Sequence, residues 1–511
     1  MQSLFLPAAA LPSGRRLSNL LIVLGLAQIL IWGVAGGLAY SSTELDSAEQ
    51  LVWGAAIEGG YWKHPPLPSW IMHGVLQFTN PSVALPLMMA QAAIVIALGL
   101  SWRLAREFLP PAQAALSVLL TSLILYHNAG ADSYNHNTAL LPFQAAATLA
   151  FFLATRRDSL LHWAGAGFFA GLSILVKYVA VMPLAGLLLY LLLDRSLHHR
   201  RTLIGLLLGA AVCLLTLSPH LLWLQQNDYA PFQYAQSVVL PLQGFGAKLG
   251  SVGAFLVTQL YRVLPLLLVL ALLAWRRPRE KQEALPLQQR DRLFIWIAAL
   301  SPLVVTILFG LASGTRLEAR WGANAFLLSG LLAVMLLRPV TTAGLLKLIT
   351  VLTVAVHVLL CAGLVLGKSM VAEHFGRATR ANFPAAELAL ATQQAWRSHT
   401  TAPLRIVATD IWLGGNLRAF GLPDIAVLID GSHHKSPWVR SEDVRNCGAM
   451  VLDDQSKDGR AGPVNPPEQL ALIAGAAATG TWQLAWGNEM KQRRTVRWAY
   501  LPPQDPGRCV R

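Results

Sequence analysis

Long stretches of this chain carry no Asp, Glu, Lys or Arg, and they recur at a length that fits a lipid bilayer. They cover about residues 17–43, 64–102, 108–131, 133–155, 159–176, 178–193, 202–227, 263–275, 293–315, 321–337 and 348–367. Roughly 20 apolar residues cross a bilayer as a helix, so the pattern predicts about eleven transmembrane helices. The first follows Arg15 and Arg16 and exceeds the apolar core of about 7–15 residues found in a cleaved signal, so it reads as an uncleaved span. From Lys368 onward the pattern changes. Pro and Gly punctuate the sequence, charges balance, and short apolar runs (RIVATD, IAVLID, AMVLDD) read as strands between helical stretches. The expected layout is an α-helical polytopic membrane domain over 1–367, with a first outer loop at 41–70. A small α/β domain over 368–511 completes the chain. The charged, Gln-rich stretch 276–292 reads as a linker.

Composition agrees with this pattern. The 511 residues are 54% hydrophobic and 13% charged, about half the charge of a soluble domain. A net charge of +14 would suggest nucleic acid as a partner, but its distribution argues against that. With the N-terminus inside, the inner loops collect basic residues, from Arg15 and Arg16 through Arg156, Arg157, Arg200, Arg201, Arg276 and Arg277 to Arg338. The short outer loops hold only Lys63, Lys177, Lys248, Arg316 and Arg320, against Glu44, Asp46, Glu49, Glu58, Asp132, Asp228 and Glu318. This asymmetry is a topology signal; it puts the tail outside and leaves no nucleic-acid footprint. Cys213 and Cys361 lie in apolar runs and read as packing residues. Cys447 and Cys509 lie in the polar tail, where a disulfide is open to them if the tail is outside.

Four groups of residues carry candidate chemistry, and all four fall on the outer side. In the first outer loop, Asp46 and Glu49 have capping-box spacing, Asp as N-cap and Glu at the third helical position. A carboxylate held there is also placed to accept a proton from a hydroxyl. Trp53, Tyr61 and Trp62 suit an interfacial helix, and Lys63 and His64 then precede the break at Pro65-Pro66. Headgroup contact is the plain alternative for Lys63 and His64. The second group is ADSYNHN, with Asp132 and His136, which is otherwise a solvated turn. The third is Lys177, between two apolar runs, either snorkelling or meeting a phosphate. The fourth is SGTRLEARW, where Arg316 and Arg320 suit an anionic ligand unless Glu318 pairs them locally. The Gly-rich segment LPLQGFGAKLG is either a lid or a plain connection. No metal-ligand set stands out.

The patterns LDSAEQ…GGYWKHPPLPSW, ADSYNHNTALLPF and LVKYVAVMPL resemble the GT-C superfamily of membrane glycosyltransferases. Within it, they are most similar to the bacterial protein O-mannosyltransferase and lipid A aminoarabinose transferase group. The resemblance implies a catalytic aspartate at Asp46, a second at Asp132, the K/H-P-P-L motif at His64-Pro65-Pro66, and a donor-phosphate lysine at Lys177. The stretch EARWGANAF is similar to a family segment with a basic residue before Trp, here Arg320-Trp321. Ser47 stands where the family has Glu, and Tyr178 stands where Gly follows the lysine. The likeness further implies an inverting transferase that takes a sugar from a polyprenyl phosphate to lipid A, another glycan or a protein. Asp46 would act as base, with Asp132 orienting Asp46, the acceptor or an optional divalent cation. Lys177, Arg316 and Arg320 would hold donor phosphate; Lys63, His64, Glu49, Tyr61 and His136 would bind substrate or orient the loop. The expected place is a bacterial inner membrane among membrane lipids, with the site and tail periplasmic. The rival class, a transporter or flippase of a lipid-linked sugar, would place ionisable groups near mid-membrane and show repeated halves. Neither is visible in the sequence.

Overall fold

The computed structural model describes residues 11–238, 241–275, 287–371, 374–455, 466–486 and 493–509. The apolar stretches become helices, since a helix satisfies its backbone N–H and C=O groups within one segment where no water can. In chain order they are α1 (Gly14–Ala39), α2 (Leu45–Trp53), α3 (Leu67–Leu76), α4 (Ala84–Ala105), α5 (Pro111–Ser122), α6 (His136–Arg157) and α7 (Leu160–Val176). Next come α8 (Val181–Leu193), α9 (Arg200–Gln226), α10 (Ala230–Val238), α11 (Phe245–Trp275), α12 (Gln289–Ser313), α13 (Ser329–Leu337) and α14 (Ala343–Val365). Among the described residues 7 helices are long and apolar enough to cross a bilayer: α1, α4, α6, α9, α11, α12 and α14. The 3-10 segment Ala319–Ala325 and α13 form a pair bent by 56°, which makes up to 8. Helices α7 and α8 are apolar but shorter.

Besides the bent pair in the stretch 321–337, two further expected spans are not continuous helices. The stretch 64–102 divides into α3 and α4 around Asn80-Pro81, where the residue before proline is driven out of helical geometry. The stretch 108–131 is helical only as far as Ser122. There the His127 and Asn128 side chains fold back onto the carbonyls of Thr121 and Ser122, at 2.8 and 2.9 Å, and end the helix. The expected linker lies mostly outside the described residues, as do Leu240, the first residue of the Gly-rich segment, and Val239 before it. Leucines and valines such as Leu207, Leu215, Val257 and Leu268 are exposed along α9 and α11, a face suited to lipid tails. The interior is close-packed around Phe108, Phe152, Phe294 and Tyr190.

The three apolar runs of the tail are strands, as expected: β1 (Ile406–Thr409), β2 (Ala426–Ile429) and β3 (Ala449–Asp454). Two more, β4 (Ala478–Ala485) and β5 (Arg493–Leu501), complete a sheet of order β2-β1-β3-β5-β4. β1 pairs in parallel with both neighbours and is buried throughout; β3, β5 and β4 run antiparallel. Cys447 and Cys509 are joined by a disulfide. The sheet's core does not stop at the tail. Ala48, Val52, Trp53 and Tyr61 of the first loop are buried in the same cluster as Leu413, Val427 and Trp438. Trp53 and Tyr61 stack at 4.9 Å, and both are buried. These aromatics are therefore core residues and not the headgroup anchors their sequence suggested. Amphipathic rings fill a protein core as readily as a membrane interface.

Candidate active site

The site is built around the start of α2. The expected capping box is absent: Glu44 is the N-cap residue without a side-chain capping bond, and Asp46 sits inside the first turn. Its carboxylate, near the helix's free N–H groups, is ion-paired with Arg320. Arg320 is delivered by the 3-10 segment Ala319–Ala325. That segment is fixed by the Tyr126 hydroxyl and by the Gln259 amide, which donates to the Ala319 carbonyl at 3.3 Å. A Cβ at Gly322 would lie 1.9 Å from Gln259 Oε1, so a larger residue there would displace the amide that holds the segment. The partner of Arg320 is thus Asp46, 274 residues away in sequence, and not the neighbouring Glu318. Arg316 is exposed, and the structure does not bring it to Asp46.

Lys177 lies at the break between α7 and α8, in extended geometry, and its ammonium donates to Asn137 Oδ1 at 2.6 Å. Burial lowers its pKa to about 8, while Asp46 works to raise it and Arg320 to lower it, so the three share one electrostatic environment. Asn137 stands in the first turn of α6, a helix whose start is fixed by an Asn135–Thr138 capping box. The structure therefore brings Asp46, Arg320 and Lys177 together from three distant parts of the chain.

Behind Asp46, Glu49 is 2% exposed and ion-paired with Lys63. It is not a cap. Burial pushes its carboxyl up to about 7, with Lys63 the largest opposing influence. Lys63 also lies 5.4 Å from the Trp62 ring and 5.6 Å from that of Trp53, so headgroup contact is not its role here. A tight turn pairs the backbones of Tyr61 and His64. The Tyr61 hydroxyl donates to the carbonyls of Trp53 and Ala56 at 3.0 and 2.8 Å. His64 packs on His136 with ring centres 4.0 Å apart, and burial holds its pKa well below the usual range. His64 is therefore a neutral wall residue beside Trp53.

Asp132 belongs to a second cluster that local sequence patterns do not reveal. It meets Lys368 at 2.9 Å, and Lys368 also reaches Glu44 at 3.2 Å and the Tyr40 hydroxyl. Asp46, the acceptor or a divalent cation was the expected partner of Asp132; the structure pairs its carboxylate with Lys368. The available signal was Lys368 itself, a cation closing the last apolar run on a side where basic residues are scarce. Among the described residues no group of three or more His, Cys, Asp or Glu stands where it could hold a metal ion.

Residues 63–223 match the family model described as dolichyl-phosphate-mannose-protein mannosyltransferase. The chain is 26% identical over 345 residues to the lipid A galacturonosyltransferase RgtD of Rhizobium johnstonii, covering 63% of this chain and 65% of that one. That match spans just under two thirds of the relative. The lipopolysaccharide core galacturonosyltransferase RgtA of the same organism is 28% identical over 415 residues, covering 76% and 77%. The crystal structure of ArnT from Cupriavidus metallidurans bound to undecaprenyl phosphate superposes with a TM-score of 0.63 at 15% identity, over 95% of this chain and 98% of that one. The chain has the GT-C superfamily fold. In this fold the arrangement offers one carboxylate able to take a proton and two cations able to hold an anion. The aspartate and the arginine neutralise each other.

Proposed function

We propose that this chain transfers a sugar from a polyprenyl-phosphate donor to a lipid A or core-glycan acceptor, with inversion at the anomeric carbon. The observation that carries the reading is the Asp46–Arg320 ion pair with Lys177 in the same electrostatic environment. The pair is partly exposed, with 28% and 55% of the side-chain surfaces open, so it holds only weakly. A donor phosphodiester carries one negative charge like the carboxylate, but its two free oxygens can bind Arg320 and Lys177 together and draw Arg320 off Asp46, and its charge grows toward two as the phosphate leaves. Asp46 is then free to take the proton of an acceptor hydroxyl. The hydroxyl oxygen forms its bond to the anomeric carbon as the bond from that carbon to the phosphate oxygen breaks. The electron pair leaves with the polyprenyl phosphate, and the cations stabilise it. Glu49–Lys63 and the His64–His136–Trp53 wall hold the loop that carries Asp46. The charge distribution supports an inner-membrane protein with its site and tail on the periplasmic side. The names of the relatives supply the first donor to try, a polyprenyl-phosphate-linked galacturonic acid. Purified chain in nanodiscs, given that labelled donor and either lipid A or core lipopolysaccharide, should move label into the acceptor. Absence of transfer from every polyprenyl-phosphate sugar offered would overturn the proposal.

A further inference from the structure

A cavity of about 310 Å³ opens where α14 ends, lined by Glu44, Lys368, Val371, Phe375, Arg377 and Arg380 among others. Neither Arg320 nor Lys177 lines it, so it is separate from the cations beside Asp46. Its size falls at the lower end of small-molecule sites.

Its charges are unevenly satisfied. Lys368 is held between Glu44 and Asp132 and is outnumbered by them. Among the described residues no carboxylate pairs with the guanidinium of Arg377 or Arg380; Arg380 lies 5.8 Å from the Trp412 ring. The turn that carries both arginines is tied down on two sides. Ser41 donates its backbone N–H to the Ala381 carbonyl at 2.7 Å, and the Ser42 hydroxyl donates to the Arg380 carbonyl. Within the turn, the Asn382 amide donates to the Arg377 carbonyl at 2.9 Å. From the sheet side, the Trp486 indole donates to the Thr379 carbonyl at 3.0 Å. The two guanidinium groups are therefore presented by a braced turn and not by a loose tail, which lowers the cost of ordering them around a ligand.

The surroundings restrict the ligand. The apolar span that includes α14 ends at Lys368, and beyond it Val371 and Phe375 are exposed apolar residues on the cavity's rim, 47% and 66% open. A molecule filling this site has an anionic head for the arginines, polar groups for Glu44 and Lys368, and an apolar part beside Phe375 and the bilayer. Glu44 is two residues from Asp46. We infer that this cavity is the acceptor subsite: Arg377 and Arg380 hold a phosphate or carboxylate of a membrane-anchored acidic glycan and so present its hydroxyl to Asp46. The assignment rests on the transferase reading above.

The test separates the two. A bisphosphorylated lipid A precursor and its dephosphorylated form are presented in phosphatidylcholine nanodiscs to the purified chain without donor, so that binding is read independently of transfer. The wild-type chain should bind the bisphosphate form, and R377Q/R380Q should bind it at least about tenfold more weakly. R377K/R380K should recover part of the loss, and R320Q should bind the probe like wild type. In transfer assays R377Q/R380Q should raise the acceptor KM and leave the donor KM unchanged. Equal binding by R377Q/R380Q, or equal binding of the dephosphorylated probe, would overturn the subsite. So would displacement of the probe by phosphatidylglycerol at equal mole fraction, which would make the cavity a contact for bulk anionic lipid. If the double variant fails to fold, R377Q and R380Q are read singly against the same outcomes. A wild-type chain that binds the bisphosphate probe but transfers no sugar would sink the transferase reading and leave the binding result standing.

Discussion

Three side chains around Asp46 make separable claims. Asp46→Asn should lower kcat by roughly 10²–10⁴ if Asp46 is the general base. Because the substitution also releases Arg320, donor binding should tighten, by at most about fivefold for an exposed pair of about 1 kcal/mol. A titration of donor into the variant that gave weaker binding would exclude the competition between carboxylate and phosphate. Lys177, with its pKa lowered to about 8, is charged below that pH and neutral above it. Donor kcat/KM should therefore fall as pH rises through about 8, and Lys177→Arg, whose charge persists, should flatten the profile. For Glu49 the folded pKa of about 7 lies above the ordinary 4.5. Its contribution to stability is full below about 4.5 and is lost as pH rises toward 7. Lys63→Met removes the largest influence holding that pKa down, so Glu49 stays protonated further up the pH scale. The variant should lose little at pH 6 and about 3–5 kcal/mol at pH 9, read as unfolding midpoints in detergent.

The position of α2 is set by the helix Ile411–Ala419 of the tail. Thr43 N–H donates to Asn416 Oδ1 at 2.7 Å, and the Trp412 indole donates to the Thr43 carbonyl at 2.8 Å. Gly415 allows the two helices to touch, since a Cβ there would lie 2.5 Å from both Cα and Cβ of Ala48, two residues from Asp46. Gly415→Ala should push α2 aside and cost about 10²-fold in kcat, while donor affinity stays near wild type. Gly414→Ala, on the same helix, instead meets Val427 of β2 and should lower the unfolding temperature of the sheet. Much of this architecture was legible in the sequence. Charge-free windows located helices, apolar runs located β1 to β3, and the outer loops contained Asp46, Lys177 and Arg320. Local patterns could not supply the pairings. The spacing of Asp46 and Glu49 matched a cap, but Lys63 decides what Glu49 does. Counting charges also could not see the helix break at Asn80-Pro81, which contains none. The role of Lys368 is not legible locally because its partners, Glu44 and Asp132, lie 324 and 236 residues away.

The membrane helices and the tail form one working unit, because the residues that carry Asp46 are buried in the sheet's core. The disulfide Cys447–Cys509 closes 62 residues that include β3, β4 and β5, a loop length that corresponds to about 4 kcal/mol of stabilisation in the chain-entropy account. C447S/C509S should lower the tail's unfolding temperature by on the order of 10 °C or more. Transferase activity should be lost along with the tail and not with the helices; activity that outlasted tail unfolding would show that α2 holds its place unaided. The contact between Thr43 and Asn416 also has a consequence for biosynthesis. The two residues are 373 positions apart. At roughly 5–20 residues per second, about 20–75 s of synthesis separate the emergence of the Asp46 loop from that of the helix that positions it. Under the proposed mechanism, a chain interrupted or clipped before Asn416 holds Asp46, Lys177 and Arg320 and still lacks a base in register, so it should stay inactive in the membrane until the helix Ile411–Ala419 has been made.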